Sequence, residues 1–192
     1  MFKKINTTWL IIIFILLTGI VAFNKFYQAK KDESTFRTQF VQIDTVAVKG
    51  IFIYPRSEQG KEIKLLKNKK HWDLQNDKIK TIADSVAVRS LLSLFAVMKS
   101  VSLAGQDRTS WNDLQVTDSA GTRIKFMTDD NKIYDMIVGK FGYNQSARKG
   151  LTYIRHSNED AVYAVEGFLS LSINQGFISW RDKTFLKGNS NN

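Results

Sequence analysis

The sequence predicts an α+β protein that carries one membrane-spanning helix. Three features support this prediction: an uncharged apolar run over residues 9–23, one long helical pattern over residues 84–101, and short alternating runs after residue 40. We therefore expect an N-terminal single transmembrane helix followed by one mostly antiparallel β domain. One long helix should pack on the sheet, and a short second helix should follow near the C-terminal end.

The composition is that of a folded protein. Of the 192 residues, 43% are hydrophobic and 24% are charged, one is proline, and cysteine is absent. These values exclude collagen-like, disulfide-stapled and wholly disordered chains, and without cysteine no lipoprotein anchor can form. The formal net charge is +10. Half of it comes from residues 1–31, which hold five lysines and no acid, so the rest of the chain is only mildly basic.

The apolar N-terminal segment has the length of a transmembrane helix. Residues 7–27 would rise about 31 Å at ~1.5 Å per residue, close to the ~30 Å hydrocarbon core of a bilayer. A cleaved signal peptide is the alternative, since a basic start also precedes the run. However, a cut after Ala22 or Ala29 would place Ile20 or Tyr27 where cleavage requires a small residue. We therefore expect an uncleaved anchor in contact with membrane lipid.

We expect four segments along the chain. The transmembrane anchor should occupy residues 1–27, a polar stalk residues 28–39, the α+β domain residues 40–187, and a disordered tail residues 188–192. The basic residues on the two sides of the anchor do not favour a C-terminal domain outside the cytoplasm. Long domains translocate largely regardless of charge, so the charge count leaves the orientation open.

The β domain should begin with strands. Residues 40–55 favour a strand, a turn at Gly50 and a second strand ending at Pro55, because they contain β-branched and aromatic residues that alternate in places with polar ones. Residues 61–67 and 71–74 then predict a hairpin across a lysine-rich turn. The residues of this hairpin that should face inward are Ile63, Leu65, Trp72 and Leu74.

The long helix should begin at a polar cap. Asp84 or Ser85 can accept hydrogen bonds from the free N–H groups of the first turn, and the helix should continue to Val101. Apolar residues recur at steps of three and four, while a second face carries Arg89, Ser93, Ala96 and Ser100. The face expected to lie on the sheet comprises Val88, Leu91, Leu92, Phe95 and Met98.

After this helix the pattern is typical of an antiparallel meander. The separators are rich in Gly, Asn, Asp and Ser, the longest of them spans residues 140–150, and Gly139 should start its turn. A short apolar segment over residues 168–173 favours the second helix. The predicted strands cover residues 113–116, 122–127, 133–139, 151–155 and 161–165.

No residue pattern indicates catalysis, a cofactor or a metal. Nucleophilic catalysis needs Ser or Cys with a base, yet the chain lacks cysteine, and His71 and His156 lie in no known motif. No cluster of histidines and carboxylates has metal-ligand spacing. The sequence Gly139-Lys140-Phe141-Gly142 lacks the spacing of a P-loop. We therefore expect a non-enzymatic protein without a cofactor, and we expect no nucleic-acid binding because no motif for it is present.

The predicted hairpin is strongly basic. Seven lysines but only three acidic residues, Glu62, Asp73 and Asp77, occur within about twenty residues. This pattern suits a surface for lipid headgroups or an acidic partner. It also suits an edge strand that lysines protect from aggregation, so both interpretations stay open. The lysines of the candidate interaction surface are Lys61, Lys64, Lys67, Lys69, Lys70, Lys78 and Lys80.

The order of features resembles a known family. The most specific pieces are Asp44-Thr45, Trp72, Ala83-Asp84, Gly139-Lys140 and the segment 180–183 (WRDK). With them the chain resembles domain of unknown function 4340, a family of bacterial membrane-anchored envelope proteins often encoded beside ABC transporter subunits of the gliding-motility type. The resemblance implies an inner-membrane protein whose C-terminal domain lies in the periplasm or otherwise outside the cytoplasm.

These observations predict an accessory protein rather than a catalyst. We expect a single-pass protein whose extracytoplasmic domain binds a protein partner in an envelope complex, with the subunits of an ABC transporter of the gliding-motility type as the partner that the resemblance implies. The alternative is an extracytoplasmic sensor that binds a small molecule or glycan in a cleft between the helix and the meander. A pocket with convergent polar groups would favour the sensor, and a flat apolar patch would favour the accessory protein.

Overall fold

The computed structural model describes residue 14, residues 16–20 and residues 38–184. The chain divides into two compact units, Met1–Phe36 and Arg37–Asn192. In the first unit the described residues are helical, and the Thr18 hydroxyl donates to the carbonyl of Phe14 at 2.6 Å. Within the described part of the chain, no helix is long and apolar enough to cross a bilayer. The predicted anchor, stalk and tail lie largely outside the described residues.

Within residues 38–184, ten strands form one sheet in which every neighbouring pair is antiparallel. The order across the sheet is β1-β6-β10-β9-β8-β7-β2-β3-β4-β5, so β1 and β5 lie at its edges. The strands are β1 (Gln39–Gln42), β2 (Val48–Tyr54), β3 (Ile63–Lys67), β4 (Trp72–Gln75), β5 (Lys80–Ile82), β6 (Val97–Gly105), β7 (Thr122–Thr128), β8 (Ile133–Asn144), β9 (Lys149–His156) and β10 (Val162–Glu166).

Three α-helices accompany the sheet in this part of the chain: α1 (Ser85–Ala96), α2 (Trp111–Leu114) and α3 (Leu169–Ile173). Single 3-10 turns occupy Arg56–Glu58, Arg108–Ser110 and Phe177–Trp180. The prediction of a mostly antiparallel β domain of the α+β class is therefore confirmed. The hairpin β3–β4 forms where the alternation placed it, and Ile63, Leu65, Trp72 and Leu74 are all buried.

The long helix is shorter than predicted. It begins where expected, because the Asp84 carboxylate accepts hydrogen bonds from the N–H groups of Val86 and Ala87 at 2.8 and 3.2 Å. It ends at Ala96, and Val97 takes an extended conformation that starts β6. Met98 is thus buried from a strand and not from the helix. Val88, Leu91, Leu92 and Phe95 are the buried residues of α1 itself.

Two glycines lie inside strands instead of at turns. The turn between the first two strands falls over residues 45–47, while Gly50 lies within β2, opposite Leu66 and Met127. Gly139 lies within β8, where a Cβ atom would overlap the carbonyl oxygen of Leu114. The fold therefore requires glycine at position 139 because there is no room for a side chain, and not because the backbone turns there.

The predicted meander also differs in two segments. Residues 113–116 were expected to form a strand, but Trp111–Leu114 is a helical turn that ends at Gln115 with a φ of 56°. The expected long separator over residues 140–150 is mostly strand, because β8 continues to Asn144 and pairs it with Lys149. The short edge strand β5 was not predicted.

The two faces of the sheet are covered differently. On one face, α1 packs against β7 through Phe95 and Phe126, whose ring centroids are 4.8 Å apart. On the other face, the connection between β6 and β7 covers a small core of Val116, Ile137 and Val162. Near β2, β3 and β7 this second face carries half-buried polar and aromatic side chains such as Tyr54, Lys64 and Arg123.

Candidate interaction surface

The seven lysines of the predicted surface fall into two groups at opposite ends of the β3–β4 hairpin. One group, here called the turn group, consists of Lys67, Lys69 and Lys70 beside the turn that joins the two strands. The strands are four and five residues long, which separates their ends by about 15 Å at ~3.3 Å per residue. The other group, here called the far group, comprises Lys61, Lys64, Lys78 and Lys80.

The turn group is exposed and lacks acidic partners among the described residues. The turn is held by the backbone N–H of Asn68, which donates to the carbonyl of His71 at 2.8 Å. Lys67 Nζ donates to the carbonyl of Val46 at 2.6 Å. None of the ion pairs formed within residues 38–184 includes Lys67, Lys69 or Lys70. Their positive charge therefore faces solvent.

The far group is partly neutralised. Lys64 Nζ lies 2.9 Å from a Glu62 carboxylate oxygen, and Lys80 Nζ lies 3.5 Å from one of Asp73. Lys61 and Lys78 line a groove of about 540 Å³, whose walls also include Glu58, Glu62 and Asp77. The sequence count of seven lysines thus overstates the charge that any single partner would meet.

Both histidines contact neighbouring side chains. His71 Nε2 lies 2.9 Å from an Asp73 oxygen, and partial desolvation of Asp73 is outweighed by this contact and by Lys80, so the Asp73 pKa is lowered. The imidazole of His156 stacks on Phe40 at 4.4 Å between ring centroids. Within the described residues, no group of three or more acidic, histidine or cysteine side chains could hold a metal ion.

Charged groups tie strands together on the second face of the sheet. Arg123 on β7 makes two hydrogen bonds to Asp135 on β8, at 2.9 and 2.6 Å. The Tyr54 hydroxyl on β2 donates to Glu62 at 2.5 Å. Burial and this hydrogen bond to the Glu62 carboxylate raise the pKa of Tyr54 to about 12. Burial also opposes ionisation of Glu62, but the bonds from Tyr54 and Lys64 outweigh it and lower the Glu62 pKa.

The Tyr54 hydroxyl should be detectable in an alkaline titration. We expect one of the six tyrosines to ionise near pH 12, and Glu62→Gln to lower that pKa toward 10 because the neighbouring negative charge is removed. Because the folded-state pKa lies above the unfolded value, this tyrosine stabilises the fold below pH ~10 and loses that contribution as the pH approaches 12.

NMR of 13Cζ-labelled tyrosine in the full chain would measure this, with Tyr54→Phe assigning the signal. Glu166→Gln is the matched control, because it removes a carboxylate that pairs with Lys149 instead. A Tyr54 pKa equal in the Glu62→Gln variant and the parent would show that Glu62 plays no part.

A buried arginine fixes the connection between β6 and β7. Arg155 on β9 is 1% exposed, and its Nε donates to the carbonyl of Val116 at 2.7 Å. Its Nη1 donates to the carbonyls of His156 and Ser157 at 3.2 and 3.1 Å. The guanidinium lies 3.7 Å from the centroid of the Trp111 ring. Burial lowers the Arg155 pKa, yet its hydrogen bonds go to neutral carbonyls and its nearest carboxylate oxygen, on Asp118, is 3.7 Å away.

The sequence also did not predict a patch of exposed apolar side chains. Leu94 at the end of α1, Val97 and Val101 on β6, and Phe168 before α3 line one open groove of about 490 Å³. Val97, Lys99 and Val101 lie on the exposed side of β6. The sequence pattern placed them in the helix, because Met98 continues the helical spacing of the preceding residues. Here the apolar patch is defined as Leu94, Val97, Val101, Phe141, Phe168 and Leu171, all of them exposed.

The fold and surface define a small α+β domain, built on one antiparallel sheet and carrying a solvent-facing basic turn. The family described as Domain of unknown function (DUF4340) matches residues 72–192, and the chain belongs to this family. The match includes Trp72, the helix cap Asp84 and Gly139, and it begins after Asp44-Thr45. No curated protein and no solved structure matches the chain significantly.

Proposed function

We propose that this chain is a single-pass inner-membrane protein whose extracytoplasmic domain is a non-enzymatic accessory subunit of an envelope complex. An ABC transporter of the gliding-motility type is the proposed partner. The turn group carries the proposal, because its three exposed lysines lack acidic partners among the described residues. The uncharged run over residues 9–23 supports the anchor, and the family resemblance supports the orientation.

The geometry of the turn group suits recognition of an acidic protein surface. Lys69 and Lys70 occupy a four-residue turn whose backbone is closed by the Asn68–His71 hydrogen bond. A fixed backbone holds the base of each side chain, so less conformational freedom is lost when a partner binds. Exposed lysines also raise the local potential, which accelerates encounter with an oppositely charged surface.

Charge reversal of the turn group should weaken binding without unfolding the domain. In the full chain, we expect Lys67→Glu with Lys69→Glu and Lys70→Glu to reduce recovery of the partner complex at least tenfold, since several complementary charges are replaced by repulsive ones. Exposed surface substitutions commonly change the free energy of unfolding by no more than about 0.5 kcal/mol each. Crosslinked co-purification from native membranes measures the binding, and thermal unfolding monitors the fold.

The far group provides the matched control, since Lys61→Glu with Lys64→Glu and Lys78→Glu makes the same change in net charge at the other end of the hairpin. This control should retain most of the binding, and wild-type binding should fall as salt rises above about 0.15 M. Equal loss in both triple variants would show that net charge, and not the turn group, matters. Unchanged binding in the turn-group variant at low salt would show that those lysines do not form the binding surface.

The sensor alternative is favoured by one groove. Tyr54, Arg56, Asp118, Arg123 and Lys125 line a space of about 450 Å³ on the second face of the sheet. This volume lies in the usual range of ligand sites, about 300–1,000 Å³, and its polar groups converge. Another groove, lined by residues of α1, of α3 and of the segment after α3, is smaller, at about 190 Å³. Thermal shift of the full chain against acidic sugars, with Arg56→Gln as the test variant, would detect such a sensor.

A further inference from the structure

The apolar patch is assembled from three separate segments, and four of its residues, Leu94, Val97, Val101 and Phe168, line one groove. Val97 and Val101 are 56% and 37% exposed on β6, and Phe168 is 57% exposed beside them. Phe141 on β8 stacks on Phe168 with 5.0 Å between ring centroids. Leu171 is 65% exposed, and its N–H donates to the carbonyl of Phe168 at 3.1 Å, one helical turn away. Exposed patches of this kind mark protein or membrane contacts.

The rim of the apolar patch is basic. Lys99 lies between Val97 and Val101 on the same exposed side of β6 and lines the groove. Residues 140–150, which form the nearby end of the β8–β9 hairpin, hold Lys140, Arg148 and Lys149 and no acid. Glu166 also lines the groove, but its carboxylate is paired with Lys149 at 2.9 Å. The net charge around the patch is therefore positive.

Exposed aromatic and aliphatic side chains within a basic rim suit the surface of an anionic bilayer. Aromatic rings favour the interfacial layer, and lysine side chains reach the headgroups while their apolar stems remain in contact with the patch. A protein partner would also cover apolar groups, but acidic lipid is favoured by the combination of four exposed aromatic or leucine side chains with a rim that carries net positive charge.

The described part of the domain begins beside the groove of the apolar patch. Thr38, the first described residue of the second unit, lines the groove of the apolar patch. If residues 1–27 form the proposed anchor, the chain from residue 28 to residue 38 can reach at most about 40 Å when fully extended. We propose that the apolar patch docks the domain onto the surface of an anionic lipid bilayer.

Because the chain has no cysteine, single fluorescent labels can test this docking in the full-length protein. We would label Leu171→Cys with an environment-sensitive dye and reconstitute the chain in phosphatidylcholine vesicles with or without 30% phosphatidylglycerol, plus nitroxide-labelled lipid as quencher. The expected result is strong quenching in the anionic vesicles that weakens at high salt. Replacing Phe141 and Phe168 by serine should lower the docked fraction about tenfold or more, since each ring loses its apolar contact.

Ile133→Cys is the matched control, because Ile133 is 60% exposed and lies at the opposite end of β8 from Phe141, about 26 Å away along the strand. Its label should stay unquenched. Equal quenching at both positions would overturn the proposal, as would quenching at 171 that the serine substitutions leave unchanged. If the 171 label is shielded only when solubilised native membrane proteins are added, and not by pure lipid, a protein covers the patch and the lipid proposal is wrong.

The docking proposal rests on the proposed anchor only because an anchor would keep the domain concentrated near the bilayer. Docking and anchoring can therefore fail separately. Extraction of the reconstituted chain by alkaline carbonate would contradict the anchor. Quenching at 171 is read at neutral pH, before extraction, so it still reports whether the patch meets lipid. If serine at 141 and 168 disturbs the fold, as near-UV circular dichroism would show, the comparison of labels at 171 and 133 in the otherwise unchanged chain decides the question.

Discussion

Replacing Phe95 by alanine is expected to lower the free energy of unfolding by about 3–5 kcal/mol, the usual range for a buried phenylalanine. Phe95 is fully buried on α1, and its ring lies 4.8 Å from the ring of Phe126 on β7. The substitution empties the space between helix and sheet and also removes an aromatic pair, which contributes about 0.5–1.5 kcal/mol beyond area burial. Denaturant unfolding of the full chain in mild detergent, followed by near-UV circular dichroism, measures the loss.

The neighbouring Leu94 provides the control on the same helix. Its side chain is 44% exposed, so Leu94→Ala should change the free energy of unfolding by no more than about 0.5 kcal/mol. Losses of similar size in the two variants would mean that α1 does not present Phe95 to the sheet.

Replacing Arg155 by methionine should cost about 1–3 kcal/mol, although methionine fills much of the same space. The loss comes mainly from the carbonyl of Val116, which would remain buried without a donor, and to a smaller extent from the half-buried carbonyls of His156 and Ser157. Trp111 would lose the cation stacked on its ring at 3.7 Å. We expect the connection between β6 and β7 to loosen, and proteolysis within residues 106–121 should reveal it.

Arg89→Met makes the same chemical change on the exposed side of α1 and should be nearly neutral. A second variant, Arg155→Lys, tests the geometry: one ammonium cannot satisfy three carbonyls in different directions, so most of the loss should persist. An Arg155→Met protein as stable and as protease-resistant as the parent would show that these hydrogen bonds contribute nothing net.

Local patterns predicted the elements whose periodicity is unambiguous. The β3–β4 hairpin was found because Ile63, Leu65, Trp72 and Leu74 alternate with polar residues around a polar turn. The start of α1 was found because Asp84 caps it. The end of α1 was missed, since Met98 continues the spacing of three from Phe95 while Val97, Lys99 and Val101 also fit an exposed strand side. Only the pairing of β6 with β1 and β10 decides between these two patterns.

The sequence predicted that the candidate surface is rich in lysine, but it did not predict how the lysines are arranged in space. Seven lysines occur within about twenty residues, yet strand direction places Lys67 and Lys78 at opposite ends of the hairpin. The apolar patch depends on Phe141, Val97 and Phe168 meeting from distant parts of the chain. Arg155 carried no sequence signal at all, because its partners are backbone carbonyls, which every residue possesses.

The strand order dictates when the sheet can be completed as the chain is synthesised. β2 can pair with β3 as soon as both exist, but its other neighbour is β7, and Ile51 must wait for Phe126. β1 likewise stays unpaired until β6 has been made, more than fifty residues later. Such distant pairings slow folding and leave strand edges open to aggregation in the meantime. The nascent chain therefore passes through a stage in which β2 and β3 exist as a hairpin with both outer edges open, and the sheet is complete only when β10 pairs with β6 and β9.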